Sequence, residues 1–352
     1  MEPQKPVITH YYTYKINSGG PLAYINFITK SELKMKYQFK NVFQNFKAKG
    51  LINRILLIIK MKRQLEFYKP DILHIHGVQS EGFNGYIAGK LAKCKKILLT
   101  VHGLQSDNIF YPKYKIFLFK HIIEPFVIKK CDYVYCVCKY MENRDIITKN
   151  AKKLIPAIYN SVHNKKIIDE GKYEKFTIAI VGRVTLEKGM KRIVKIIKKT
   201  QDDIQYLIIG EGEYKEKMMN ILKEEINMKK VIFLGYREDA INYIKQSHIL
   251  LSASYHENLP ITILEAISLG VVCLVTDVGG NNEIIKDGYN GILINDWNEE
   301  YILSKLRELR YNNSLYNTLS NNAIYTYENN FSPKIILNKI DNMYENILQN
   351  RI

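Results

Sequence analysis

Residues Thr177-Ile178-Ala179-Ile180-Val181-Gly182-Arg183-Val184-Thr185-Leu186-Glu187-Lys188-Gly189 decide the fold. A short apolar run ends at a glycine, and charged residues follow where a helix begins. A run apolar at nearly every position suits a strand buried on both faces, as in a parallel sheet covered by helices. Gly182 lets the backbone turn tightly, Arg183 offers a rigid donor fork, and Lys188 adds a mobile charge at the start of the next helix. Two cations beside a helix N-terminus suit a diphosphate. Taken alone, the same pattern fits ordinary surface cations equally well.

The strand-then-helix alternation runs outward in both directions. Strands are expected at 177–181, 205–209, 231–234, 249–252, 271–276 and 291–294, with helices near 188–199, 213–227, 238–246, 261–269 and 281–286. Upstream, strands are expected at 7–14, 37–44, 71–76, 97–101 and 133–137, with helices near 21–31, 51–68, 81–93 and 113–130. This alternation specifies an α/β fold of doubly wound parallel sheets. The length of 352 residues favours two domains. We expect one over 1–165 and one over 166–331, with the polar stretch 164–175 as the linker. The segment 332–352 has helical spacing at Ile335, Ile336, Ile340, Met343 and Ile347, and is long enough to cross back to the N-terminal domain.

In open parallel sheets, ligands bind beyond the carboxyl ends of the strands. A second charged cluster follows such an end: His256-Glu257-Asn258-Leu259-Pro260-Ile261-Thr262-Ile263-Leu264-Glu265-Ala266. Pro260 is read as first-turn helix, where its missing N–H is not needed. The free amides of Thr262, Ile263 and Leu264 then point at an anion. Glu265 lies about two turns further on and suits a ribose diol through its two acceptor oxygens. An isolated pair of glutamates at this spacing would be unremarkable. The preceding strand, the Asn-Leu-Pro insert and the upstream Arg183 and Lys188 make it a site.

The order Gly182-Arg183-x4-Lys188-Gly189, Ile209-Gly210-Glu211-Gly212, Val231-Ile232-Phe233-Leu234-Gly235 and Glu257-x7-Glu265 resembles the retaining GT-B glycosyltransferases of family 4. The resemblance covers the whole C-terminal half. It implies two facing Rossmann-like domains with a cleft between them, the acceptor bound by the first and a nucleotide-sugar by the second, and chemistry that needs no metal or other cofactor. By the same resemblance, Arg183 and Lys188 hold the donor diphosphate, and Glu257 contacts hydroxyls of the transferred sugar. The backbone from Asn258 through Leu259 and Pro260 to Thr262, Ile263 and Leu264 binds the sugar and distal phosphate, and Glu265 binds the ribose. Gly182, Gly210, Gly212 and the loop bearing Tyr236 line the phosphates and base. Asn258 departs from the family's frequent small residue. UDP-sugars are the implied donors.

The N-terminal half resembles the family more loosely. Asn17-Ser18-Gly19-Gly20 opens a helix, and Gly19 and Gly20 then lie by the donor phosphates. Thr100-Val101-His102-Gly103 ends a strand, and His102 then sits by the donor sugar. The span from Gly20 to Pro70 is short for the family. His74 and His76 share a strand face and raise the possibility of a metal site, but no third ligand at helical spacing accompanies them.

Charge separates the halves. Residues 1–165 hold 28 Lys and Arg against 10 Asp and Glu, a net of +18, whereas the remaining residues hold 24 against 25, a net of −1. A solvated basic surface, anionic lipid and nucleic acid are the candidate explanations. No single-strand stacking platform or reading motif favours nucleic acid. The helix at 51–68 carries Leu51, Ile52, Ile55, Leu56 and Ile59 beside Arg54, Lys60, Lys62 and Arg63. Its apolar residues either pack in the core, the favoured placement, or lie on an anionic membrane.

Five cysteines, without paired spacing, read as buried reduced thiols and a cytoplasmic setting. No signal or spanning segment is expected. Together these readings give a hexose-transferring enzyme with a glycan or polyprenyl-pyrophosphate acceptor in surface polysaccharide assembly, at or near the inner face of the cytoplasmic membrane. The alternatives are a non-catalytic basic binding protein and a GT-B nucleotide-sugar epimerase.

Overall fold

A computed structural model of the chain describes residues 4–13, 20–44, 50–108, 110–162, 168 and 170–352. Contacts divide it into two compact units, Met1–His163 with Pro333–Ile352, and Asn164–Ser332.

The first unit holds strands β1 (Val7–Thr13), β2 (Gln38–Gln44), β3 (Ile72–His76), β4 (Ile97–Val101), β5 (Tyr133–Cys136) and β6 (Leu154–Ile155) in the order β2-β1-β3-β4-β5-β6. The second holds β7 (Phe176–Val181), β8 (Ile204–Ile209), β9 (Val231–Gly235), β10 (Ile249–Ser252), β11 (Val272–Thr276) and β12 (Ile292–Ile294) in the order β12-β11-β10-β7-β8-β9. All ten strand pairings among the described residues are parallel. The apolar runs explain this, since β3, β4 and β11 are buried at every position and therefore need cover on both faces.

The two windings differ. Read from β9, the second sheet runs three strands back to β7 before reversing to β10, the dinucleotide-binding order. The first sheet has one strand fewer on that side and reverses between β1 and β3, the flavodoxin-like order. The short span before Pro70 leaves room only for β2 there.

The helix Pro333–Leu348 belongs to the first unit. Ile336, Leu337, Ile340, Met343, Tyr344 and Ile347 enter a core with Ile8, Tyr24, Ile72 and Leu98. Each side chain so buried contributes about 1.5–3 kcal/mol. The Lys96 ammonium donates to the carbonyls of Ile347 and Leu348, each at 2.7 Å, and so caps the helix end.

The favoured core placement of the helix Leu51–Tyr68 needs correcting. Leu57, Met61 and Leu65 are its buried stripe, and the Met61 sulfur accepts the Tyr11 hydroxyl at 3.0 Å. Ile52, Ile55, Leu56 and Ile59 are exposed, at 75%, 49%, 58% and 38%. Two helices not anticipated from the sequence, Glu299–Tyr311 and Asn313–Asn330, cover the second sheet after β12. Each starts on an asparagine side chain, Asn298 accepting from the Tyr301 amide and Asn312 from the Leu315 amide. All five cysteines are free thiols and buried. No helix among the described residues is long and apolar enough to cross a membrane.

Candidate functional site

The carboxyl ends of β7, β8 and β9 are tied together through backbone at glycines. The Gly182 amide donates to the Ile209 carbonyl at 3.0 Å, and the Gly210 amide to the Gly235 carbonyl at 2.7 Å. A Cβ on Gly210 would stand 1.8 Å from the Gly182 oxygen, and one on Gly212 would stand 2.3 Å from the Val184 oxygen. Both glycines are therefore required by packing, with or without a ligand. Gly182 differs: its φ is +145° and nothing lies within 4 Å of a Cβ there, so its side of the loop is open. Tyr236, directly after Gly235, is exposed at this edge.

The second unit reverses between β7 and β10, and the two loops at that point carry the charged residues. The helix Met190–Lys199 starts after Gly189, whose φ is +72°, so Lys188 belongs to the loop. A Cβ on Gly189 would fall 1.9 Å from the Ala253 oxygen, which locks the loops after β7 and β10 together. The Tyr255 amide donates to the Glu187 carbonyl at 3.0 Å, and the Arg192 guanidinium to the Ala253 carbonyl at 3.3 Å. Stacking on Tyr255 at 3.8 Å anchors Arg192.

This places Lys188 against Glu257, Nζ to Oε1 at 2.5 Å, with 22% and 11% of the two side chains exposed. The Ser254 hydroxyl donates to the same carboxylate oxygen at 2.7 Å. Behind Glu257 runs the loop after β11. A Cβ on Gly279 would lie 1.7 Å from the Glu257 carbonyl oxygen, so that approach admits only glycine. The Arg183 guanidinium reaches Glu187 at 3.0 Å and is 64% exposed. An exposed pair of this kind is worth about 0–1 kcal/mol and gives way readily to an anion.

Beyond Glu257, the Asn258 Oδ1 is buried without a hydrogen-bond partner among the described residues. Pro260 stands one position earlier than expected, as the N-cap of the helix Ile261–Ser268. The Ile263 and Leu264 amides turn back to its carbonyl at 3.2 and 3.5 Å. The open amides are therefore those of Ile261 and Thr262, not the whole run from Thr262 to Leu264. Leu259 and Glu265 are each 6% exposed, so Glu265 is no ordinary solvated surface glutamate.

The remaining candidates lie in the first unit. Gly20 opens the helix Gly20–Thr29, and Gly19 lies outside the described residues. His102 follows β4, its Nε2 3.1 Å from His76 Nδ1. His10 Nδ1 lies 2.9 Å from His76 Nε2. His10 is thus the third histidine that spacing along one strand did not supply. It faces His74 across the β1–β3 register, and ligand-capable atoms of His10, His74 and His76 lie within 4.8 Å of one another. His74 is nevertheless already engaged, by the Tyr344 hydroxyl at 2.8 Å and the Thr100 hydroxyl at 2.6 Å. Burial pushes His10 and His102 down to about 3 and lowers His74 and His76, so all four rings are neutral. Sequence reasoning also missed Gly279, Ser254 and Arg192. Gly279-Gly280 after a strand was the readable signal among them.

Two parallel sheets, the second in dinucleotide-binding order with an anion-ready reversal point, define the GT-B architecture. HepE of Anabaena in complex with UDP-glucose superposes with a TM-score of 0.77 at 15% identity, covering 96% of this chain and 99% of that one. The family described as glycosyl transferases group 1 matches residues 163–325, and that described as glycosyltransferase family 4 matches residues 32–164. The chain belongs to the GT-B glycosyltransferases of family 4 and is an enzyme of the hexosyl-transferring kind. The UDP-Gal:alpha-D-GlcNAc-diphosphoundecaprenol alpha-1,3-galactosyltransferase of Escherichia coli is 26% identical over 93% of this chain and 90% of its own length. The capsular polysaccharide biosynthesis glycosyltransferase CapM of Staphylococcus aureus is 24% identical over 84% and 80%.

Proposed function

We propose that this enzyme moves a hexose-type sugar from a UDP-sugar to a lipid-diphosphate-linked or glycan acceptor in surface polysaccharide assembly, with retention of anomeric configuration. The observation that carries the reading is the Lys188–Glu257 pair at the reversal point of the second sheet, flanked by the unpartnered Asn258 Oδ1. The names of the E. coli and S. aureus relatives, which specify a diphosphoundecaprenol acceptor and capsule synthesis, support the acceptor class.

In this reading the donor diphosphate draws the Lys188 ammonium from Glu257 and Arg183 from Glu187. Glu257 is thereby released, and it joins the Asn258 Oδ1 in accepting hydrogen bonds from the sugar. The Ile261 and Thr262 amides meet the distal phosphate, Glu265 the ribose, and Tyr236 the base. Charge developing on the leaving oxygen is met by groups already in place, worth roughly 2–4 kcal/mol for one such interaction. The acceptor oxygen bonds to the anomeric carbon as the diphosphate oxygen departs from the same face, and that oxygen takes the acceptor proton. The cations carry the phosphate charge, so the step needs no metal. His102 contacts the transferred sugar.

The first unit, with its basic surplus and the exposed Ile52, Ile55, Leu56 and Ile59 beside Arg54, Lys60, Lys62 and Arg63, is read as the acceptor domain. It rests peripherally on the anionic cytoplasmic face of a membrane. Thermal unfolding with nucleoside diphosphates tests the donor site. UDP at 100 times its dissociation constant should add about 2.7 kcal/mol. Absence of a shift with every nucleoside diphosphate would overturn the reading, and a covalent sugar adduct trapped on Glu257 would overturn the same-face step.

A further inference from the structure

His10, His76 and His102 form a row across β1, β3 and the end of β4, joined at 2.9 and 3.1 Å. His10 and His76 are buried and His102 is half-buried. The inner end of the row, His10 Nε2, is buried without a partner among the described residues. His74 stays outside the row because the hydroxyls of Tyr344 and Thr100 take both of its nitrogens. The Tyr24 ring stands edge-on to His102 at 5.4 Å and to His76 at 6.1 Å, while its hydroxyl is held by Tyr135 at 2.8 Å. Ring orientation is thereby restricted along with hydrogen bonding.

A neutral imidazole carries one N–H and one lone pair. Three neutral rings bring three protons, and the two contacts between them use two. His76 must donate through one nitrogen and accept through the other, so both hydrogen bonds run the same way along the row. The third proton sits at one end, either on His10 Nε2 in the core or on His102 Nδ1. A stranded buried N–H is the rare case in folded proteins. The proton therefore belongs on His102 Nδ1, with His10 Nδ1 donating to His76 and His76 Nδ1 donating to His102.

We propose that His10 and His76 are positioning residues that lock His102 as the Nδ1–H tautomer, so that it offers the transferred sugar a hydrogen-bond donor and not a base. This rests on the reading of His102 as a sugar contact; the row itself does not. The nitrogen that carries the proton is set by what the other nitrogen bonds to, here Nε2 accepting from His76.

Nitrogen-15 NMR of histidine-labelled, unliganded protein at neutral pH reads the tautomer directly. The expected result is a single Nδ1–H form at His102. His10→Leu removes the inner donor and should release His102 into a mixture richer in Nε2–H. It should lower kcat about 10-fold, the scale on which a partner that orients an imidazole matters, with little change in KM for the donor. His10→Asn keeps an amide donor near the Nδ1 position and should restore both the tautomer and most of the turnover. A wild-type His102 protonated on Nε2 overturns the proposal, as does a tautomer unchanged in folded His10→Leu protein. So does stoichiometric metal bound among His10, His74 and His76. Should His10→Leu fail to fold, the wild-type and His10→Asn spectra decide. If His102→Ala instead keeps full transfer activity while the wild-type tautomer is as expected, the sugar-contact reading fails and the row stands.

Discussion

The two units are both six-stranded parallel sheets, yet the ends of their strands are chemically opposite. At the carboxyl ends of β7 and β10, the second unit holds ion pairs, Lys188 on Glu257 and Arg183 on Glu187. The first unit ends β3 on one neutral imidazole, His76, and follows β4 with another, His102, while most of the protein's positive surplus lies in its half of the sequence. Exposed apolar side chains occur on both units, and in the first they include a run on the helix Leu51–Tyr68 and a group around Phe117 and Ile122. One winding logic thus supports one unit with ion pairs at its reversal point and another with neutral imidazoles in its interior and a basic sequence. Function is set by what stands at the strand ends, not by the sheet.

Removing the charged pair should separate the units most sharply. Lys188→Ala is expected to lower turnover on the order of 100-fold or more, with only a small shift in unfolding midpoint, by steady-state kinetics beside thermal unfolding. Loss of stability in proportion to activity would make it a structural lysine.

The loop behind Glu257 gives the next largest effect. Gly279→Ala, whose Cβ would meet the Glu257 carbonyl oxygen at 1.7 Å, should cost roughly 2–4 kcal/mol and disturb donor binding. Gly288→Ala is the control. It has a φ of +67° but open space, and should cost only about 1–2 kcal/mol for the left-handed backbone. Equal losses in denaturant titrations would show that contact with Glu257 is unimportant.

Acid should distinguish the units next. His10, His74, His76 and His102 have folded pKa values below the ordinary 6.5. A depressed value means the unfolded chain binds the proton first. Stability is therefore complete above about 6.5 and declines as pH falls towards the folded values, by up to about 1.4 kcal/mol per pH unit for each ring. In the second unit His248 alone is comparable among the described residues, at about 4 through burial and Lys172. Hydrogen exchange between pH 6.5 and 4 should open the first unit before the second, and the reverse order would count against neutral buried rings.

The smallest effect on the protein itself is expected at the exposed helix. Ile55→Ser with Leu56→Ser should change stability by no more than about 0.5 kcal/mol per site. Co-sedimentation with anionic vesicles at low salt should nevertheless drop, and unchanged sedimentation removes the membrane reading.

Much of this was legible in the sequence. Strands 97–101 and 249–252 lie where the apolar runs put them, because a strand buried on both faces leaves little freedom in its boundaries. The helices after β12 were missed although their asparagine caps and the spacing of Ile302, Leu306 and Leu309 were present. The helix Leu51–Tyr68 misled for a physical reason: it carries two apolar stripes, and spacing alone cannot say which one meets the sheet. The charged loops were readable as motifs because their residues are neighbours in sequence. The histidine row was not, because register across three strands assembles it, and the glycine at 279 reveals its purpose only against the Glu257 backbone.

The docking of Pro333–Leu348 into the first unit has a consequence for biosynthesis. As the ribosome makes the chain, β1 to β6 emerge with an apolar face uncovered and wait through synthesis of the entire second unit for Tyr344 to reach His74. The nascent first unit is thus the more exposed to chaperones and proteases. A chain broken before Pro333 would carry a finished second unit beside a first unit that lacks one wall of its core.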